Sequence, residues 1–297
     1  MIINRANLSI LYTGFQSAFN EGFAGAPADH KPLTMEVNSS TSIEQYGWLG
    51  STTGFRKWVG DRVIQNLTLH DYSIKNEPFE NTVGVDADHI DDDTYGLYSV
   101  RMKQMGQDSA EHPSTLIWPL LKAGFSTPCY DGQFMFDTDH PVLDANGVEQ
   151  SVSNYQAGAG EPWFLIDTTR VMKPIILQKR KPYNFVAMDS ETDNNVFMRK
   201  EYLYGVDARM NVGFGLWQLA YASKATLDTA NFNTVYENMM GMKGDNGRPL
   251  GLRPSLLVTG PKGRAAALEA VKVARQANGA DNANYNVVDV LVTPWLA

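Results

Sequence analysis

Residues 91–123 constrain the fold more than any other stretch. They open on three consecutive carboxylates, Asp91, Asp92 and Asp93, which suit a helix N-terminus because they accept free backbone amides and meet the positive end of the helix dipole. Tyr95, Tyr98, Met102, Met105 and Ser109 then recur at steps of three and four. One stripe is therefore apolar or small, while Arg101, Lys103, Gln104, Gln107 and Asp108 fall on other faces. Proline is disfavoured inside a helix and favoured in a first turn. The spacing thus predicts a bend at His112-Pro113 and a second segment carrying Leu116, Ile117, Leu120 and Leu121, stopped at Gly124. At about 1.5 Å per residue the first segment alone spans on the order of 27 Å, enough to serve as the spine of a domain.

Upstream, Leu8, Leu11, Tyr12, Phe15, Phe19 and Phe23 also stand at helical spacing, after which Gly22, Gly25, Pro27 and Pro32 break the pattern. Periodicity leaves open whether this helix packs on its own domain or, as an arm, on a neighbouring subunit. Tyr46, Trp48, Leu49, Phe55 and Trp58 form an aromatic-rich cluster among glycines and serines. Residues 62–69 and 72–86 have strand composition around a polar break at His70-Asp71, and Pro78 marks an edge strand. A hairpin with arms of about ten to twelve residues projects on the order of 35 Å and is marginally stable alone in water. Its apolar residues Ile74, Phe79 and Val83, with Trp48 and Trp58 nearby in sequence, are the candidate contacts with another copy of the chain.

Residues 125–160 read as irregular, ending in a Ser-, Asn- and Gly-rich run that marks a domain boundary. Beyond it, strand patterns at 163–167, 174–178, 195–204, 255–259 and 287–292, with a helix pattern at 264–277, predict a compact α+β unit.

The net charge of −8 argues against a nonspecific grip on nucleic-acid phosphates. A single cysteine, Cys129, excludes an internal disulfide and any multi-cysteine metal site, in keeping with a reducing cytoplasm. The apolar runs are too short to cross a bilayer or act as a secretory signal. Asp137, Asp139 and His140, with Asp131 nearby, are the one crowding of carboxylates and an imidazole. A hydrolase would use the aspartates as metal ligands and His140 as ligand or general base. A capped turn ended by His140-Pro141 accounts for the same residues. The acidic run 86–93 lacks the central glycine and closing glutamate of a calcium loop, and Gly205, Gly213 and Gly215 lack a dinucleotide fingerprint. They read as helix capping and tight packing. Lys179-Arg180-Lys181 before Pro182 reads as a solvated turn or an intersubunit ion pair.

Several stretches together resemble the major head (capsid) subunit of Mu-like tailed phages and prophages. They are Tyr46-Gly-Trp-Leu-Gly, Arg56-Lys-Trp-Val-Gly-Asp-Arg, Tyr72-Ser-Ile-Lys-Asn-Glu-Pro-Phe-Glu and Ile90-Asp-Asp-Asp-Thr-Tyr-Gly-Leu-Tyr, followed by Tyr130-Asp-Gly-Gln-Phe-Met-Phe-Asp-Thr-Asp-His-Pro, Lys173-Pro-Ile-Ile-Leu-Gln-Lys-Arg and the closing Val-Leu-Val-Thr-Pro-Trp-Leu. The resemblance implies an α+β fold similar to the Hong Kong 97 phage capsid protein. Its implied parts are an N-terminal helix and arm (1–45), a peripheral domain (46–160) with an extended loop (62–86) and spine helix (91–123), and an axial domain (161–297). It also implies a structural, non-catalytic protein without cofactor or metal, whose pentamers and hexamers close an icosahedral shell around double-stranded DNA. The implied partners are other copies, a scaffolding protein, a portal and a maturation protease, but no membrane. The implied place is the virion, after synthesis and assembly in the host bacterial cytoplasm. A metal-dependent hydrolase and a monomeric phage-associated binding module are the alternatives.

Overall fold

The computed structural model describes residues 4–47, 49, 72–92, 95–190, 192–276 and 279–297. The chain opens with helix α1 (Arg5–Gly25), then strands β1 (Thr34–Asn38) and β2 (Ile43–Gln45). Next come β3 (Ser73–Lys75), β4 (Glu77–Asp86), the short helix α2 (Ala87–Asp91) and the long helix α3 (Tyr95–Ala123). Strands β5 (His140–Leu143), β6 (Glu149–Val152) and β7 (Tyr155–Gln156) lead to β8 (Trp163–Ile166) and β9 (Ile175–Met188). Helix α4 (Asn194–Arg199) precedes β10 (Glu201–Phe214), and β11 (Ala220–Ser223), α5 (Thr229–Gly241), β12 (Leu256–Thr259), α6 (Arg264–Val271) and β13 (Asp289–Val292) follow. No helix among the described residues is long and apolar enough to cross a membrane.

Helix α3 is the spine, and it joins two cores. Met102 and Met105 enter one, with Leu8, Leu11, Phe15 and Phe19 of α1 and with Phe185, Tyr202 and Tyr204 of the long strands. Ile117, Trp118 and Leu121 enter the other, built on β8, α5 and α6. The expected bend at Pro113 gives way to one continuous helix through Pro113 and Pro119. An interior proline costs about 3 kcal/mol, but the five α3 side chains just named are buried on both sides of the pair, at about 1.5–3 kcal/mol each. The acidic run divides: Asp86 caps α2 by accepting the Asp88 amide at 2.9 Å, Asp91 ends that helix, and α3 begins only at Tyr95.

The N-terminal helix packs on its own chain, and it runs through Gly22, which serves as a close-packing point and not as the expected break. A Cβ on Gly22 would stand 1.9 Å from the Lys103 carbonyl oxygen, and one on Gly106 would stand 2.0 Å from that of Phe19. The two glycines thus let α1 and α3 cross with their backbones nearly in contact.

Two sheets carry the strands. The four-stranded sheet has the order β1-β9-β10-β4, with β1 parallel to β9 and the other pairs antiparallel. The five-stranded sheet has the order β13-β12-β8-β11-β7, and all four residues of its central β8 are buried. The edge position inferred from Pro78 holds, because β4 is terminal in its sheet. It pairs with β10 of the same chain from Glu77 to Asp86, so this arm needs no neighbour to satisfy its inner ladder.

Three further expectations are corrected. The strand pattern at 195–204 begins as α4, closed by Lys200 at φ 54°, while the Asn195 amide ties Met188 O to Glu201 O at the hairpin ends. Helix α6 stops at Val271 because the Asn282 side-chain amide occupies the carbonyls of Glu269, Ala270 and Val273. Lys179-Arg180-Lys181 lies inside β9, not in a turn, and its lysines pair within the chain, Lys179 with Glu36 and Lys181 with Asp207.

Candidate functional site

The acidic turn forms around Asp131 and Asn154. The His140 ring is fully buried and stacks on Trp217 with centroids 3.9 Å apart and planes 9° apart. Its Nδ1 lies 2.7 Å from Asp131 Oδ2, and its Nε2 lies 3.2 Å from Asn154 Oδ1. The Cys129 thiol donates to Asp131 Oδ1 at 2.9 Å. Asp137 accepts the amides of Thr138 at 2.7 Å and Phe134 at 3.4 Å, as a capped turn requires. Asp139 is exposed. The three sequence-predicted residues therefore do not converge: His140 points inward to Asp131, Asp137 caps its own turn, and Asp139 faces solvent.

Ligand atoms of Cys129, Asp131 and His140 lie within 4.8 Å of one another. Their chemistry is that of a hydrogen-bonded chain. Burial, then the neighbouring Asp131 carboxylate, pushes the Cys129 thiol far up, so it stays a protonated donor. Burial also raises the Asp131 carboxyl, but the hydrogen bonds from His140 and Cys129 outweigh it and hold the group below the usual carboxylate range. The group is built to stay closed: it fixes residues 125–160 against the five-stranded sheet.

A second polar network pins the described ends of segment 48–71. Tyr46 Oη donates to Gln178 Oε1 at 2.7 Å, and Gln178 Nε2 donates to Asn76 Oδ1 at 2.8 Å and Ile74 O at 3.1 Å. Asn76 Nδ2 donates to Ser39 Oγ and Thr41 O. Tyr46 N donates to Tyr72 O at 2.8 Å, which brings the two ends together. Gln178 and Asn76 lie in two of the stretches that carry the family resemblance, but nothing in those stretches marks their partners. The one signal in the sequence was a glutamine ending an otherwise apolar strand run.

The candidate contact residues separate. Ile74 is buried in its own chain, 2.3 Å from the position a Cβ on Gly213 would take, so it is not offered to a neighbour. Phe79 and Val83 are half-buried on β4. Trp48 and Trp58 lie outside the described residues, as does strand pattern 62–69.

Burial lowers the proton affinity of His30 and His112 below the ordinary histidine value of 6.5. The unfolded chain then protonates first, so stability is complete above about pH 6.5 and falls as the pH drops through that value. Thermal unfolding between pH 7.5 and 5 is expected to show a melting temperature that declines on acidification, with a shallower decline in His30→Gln/His112→Gln. An unchanged slope in the double variant would remove these residues as the cause.

A family model described as the Mu-like prophage major head subunit gpT matches residues 8–296. The chain is 40% identical over 275 residues to the major capsid protein of Escherichia phage Mu, covering 91% of this chain and 90% of that one. It is 39% identical over 258 residues to the Mu-like prophage FluMu major head subunit of Haemophilus influenzae, covering 84% of each. Among solved structures it matches a chain of the bacteriophage JBD30 procapsid with a TM-score of 0.89 at 46% identity, over 99% of this chain and 100% of that one. It matches the JBD30 capsid with a TM-score of 0.79 at 34% identity over the whole of both chains, and the capsid decorated with minor capsid protein trimers with a TM-score of 0.77 at 34% identity, again over the whole of both chains.

Proposed function

The chain belongs to the Mu-like prophage major head subunit family, a structural protein of the phage head shell and not an enzyme, and from that premise we propose how it assembles. Pentamers and hexamers of the chain close an icosahedral shell around double-stranded DNA, in the host cytoplasm, with a scaffolding protein, a portal and a maturation protease as partners. A minor capsid protein of the kind that decorates the JBD30 capsid is a further outer partner. The carrying observation is the match to the JBD30 procapsid chain over 99% of this chain. Among the described residues, the group of possible metal-ligating side chains at Cys129, Asp131 and His140 is occupied by its own hydrogen bonds, which favours a structural role over the metal-dependent hydrolase.

Expressed protein is expected to give shells or capsomers by size-exclusion chromatography and negative-stain microscopy. A persistent 32.9 kDa monomer under all conditions would overturn this reading.

Contacts between copies use the apolar residues of β4, Phe79 and Val83, together with segment 48–71 and its Trp48 and Trp58. A deletion of residues 64–82 would remove β3 and much of β4 and so damage the fold itself. The informative deletion replaces residues 50–70 by a short Gly-Ser linker, which the Tyr46 to Tyr72 hydrogen bond shows to be spannable. This variant is expected to melt near wild type and form no shells. Normal shells from it would show that the segment is dispensable for assembly.

A further inference from the structure

A bridge between Pro128 and Phe134 closes the turn that carries Cys129 and Asp131, with Gly132 at φ 88°. His140, at the start of β5, reaches into this turn from further along the chain. A thiol, a carboxylate and an imidazole thus meet with their ligand atoms within 4.8 Å of one another. The side chains of His140 and Asp131 are 0% and 6% exposed. Sulfur, nitrogen and oxygen donors in one group suit a borderline-soft divalent cation such as zinc or cadmium, whereas magnesium and calcium take oxygen.

Asn154 fixes the proton positions. Its Nδ2 faces the carbonyl oxygens of Met135, Trp217 and Ala220, and its Oδ1 accepts the Asp137 amide. Oδ1 is therefore an acceptor toward His140 as well, so Nε2 of the ring carries a proton. A metal-bound histidine is held in the same way, donating its other ring N–H to an oxygen. Nδ1 then faces Asp131 Oδ2 at 2.7 Å with one proton between them, and the Cys129 thiol brings the second proton, to Oδ1 at 2.9 Å.

Exchanging these two protons for one divalent cation leaves the buried net charge at zero, because thiolate and carboxylate together balance the cation beside a neutral imidazole. Burial opposes uncompensated charge, not a neutral cluster. The thiol stays protonated without metal, but a coordinating thiol is deprotonated outright. Around a cation bound at about 2.0–2.3 Å the donors need move apart by only about half an ångström.

We propose that Cys129 Sγ, an Asp131 oxygen and His140 Nδ1 bind one zinc-like divalent cation, with a water molecule as fourth ligand, taken up as the chain folds. Its role is structural: the buried ring, covered by Trp217, leaves a substrate no approach. Coordination bonds then join the turn 128–134 to β5 in place of hydrogen bonds, and metal affinity adds to folding stability.

The test unfolds the full chain and refolds it with cadmium(II) or with a chelator, removing loose metal by gel filtration. Wild type is expected to retain one cadmium per chain, with thiolate-to-metal charge-transfer absorption. At free cadmium about a hundredfold above the dissociation constant it is expected to melt about 5 °C higher than chelator-refolded protein. Cys129→Ser keeps a donor toward Asp131 and is expected to fold, to lose the absorption, and to bind at least about tenfold more weakly. Asp131→Asn keeps the thiol and is expected to weaken binding by a similar factor. X-ray absorption of zinc-refolded wild type is expected to show one sulfur at about 2.3 Å and an imidazole nitrogen at about 2.0 Å. Folded wild type that retains no cadmium would overturn the proposal. So would unchanged affinity in Asp131→Asn, or a zinc shell without imidazole, either of which would reduce the site to a lone thiol or to surface carboxylates. None of these readouts depends on shell formation.

Discussion

Met102→Asp is expected to leave no soluble folded subunit, while Arg101→Asp, one position away, is expected to fold and melt within a few degrees of wild type. Met102 is fully buried among Phe15, Phe19 and Tyr204, where the backbones of α1 and α3 nearly touch at Gly22 and Gly106. A carboxylate there would be enclosed by apolar and aromatic side chains. The cost is several kcal/mol, against a total stability of about 5–15 kcal/mol for a typical domain. Arg101 is exposed, and an exposed substitution without buried partners usually changes stability by about 0.5 kcal/mol or less. Soluble yield and thermal unfolding of the two variants check the phase of the spine helix. Equal behaviour would mean that the stripe of α3 faces elsewhere.

Asn154→Ala is the second large effect, at a residue no motif marked. Its side chain is fully buried. Nδ2 donates toward Met135 O at 2.8 Å, Ala220 O at 3.2 Å and Trp217 O at 3.3 Å, while Oδ1 accepts from the Asp137 amide at 2.9 Å and faces His140 Nε2 at 3.2 Å. Truncation strands buried groups on three segments at about 1–3 kcal/mol each. With partial relaxation the loss is about 3–5 kcal/mol, or roughly a 10 °C fall in melting temperature for a chain of this size. Asp139→Ala, in the same turn but exposed, is expected to change the melting temperature by about 1 °C or less. Asn154→Ala melting with wild type would dismiss the hub, and Asp139→Ala melting far below it would return the turn to the sequence-based reading.

The acidic turn shows where sequence reasoning stops. Asp137 as a cap was legible because an aspartate reaches amides next to it in the chain. His140 was legible as a residue of interest but not in its role, since its partners Asp131, Asn154 and Trp217 come from three different places. Strand β9 was expected to end at Gln178 because Lys179-Arg180-Lys181-Pro182 looks like a turn. It continues to Met188 because Tyr183, Phe185 and Ala187 alternate inward onto the core shared with α1, while both lysines find carboxylates on adjacent strands. Helix α4 was mistaken for strand because Val196 and Phe197 have strand composition, whereas the short turn closing β9 onto β10 decides their geometry.

By itself the sequence determined the faces of α1 and α3, the buried run of β8, the edge character of β4 at Pro78, and membership of the head-subunit family. Each of these is carried by neighbours within a few residues or by ordered motifs along the chain. Only the tertiary structure decided that α3 passes unbroken through two prolines, that β4 is paired to β10, that Ile74 is enclosed by its own chain, and that Asn154 and Gln178 hold distant segments together. Those outcomes depend on burial and hydrogen bonds between residues tens to more than a hundred positions apart, and such pairings leave no periodicity in the chain that makes them.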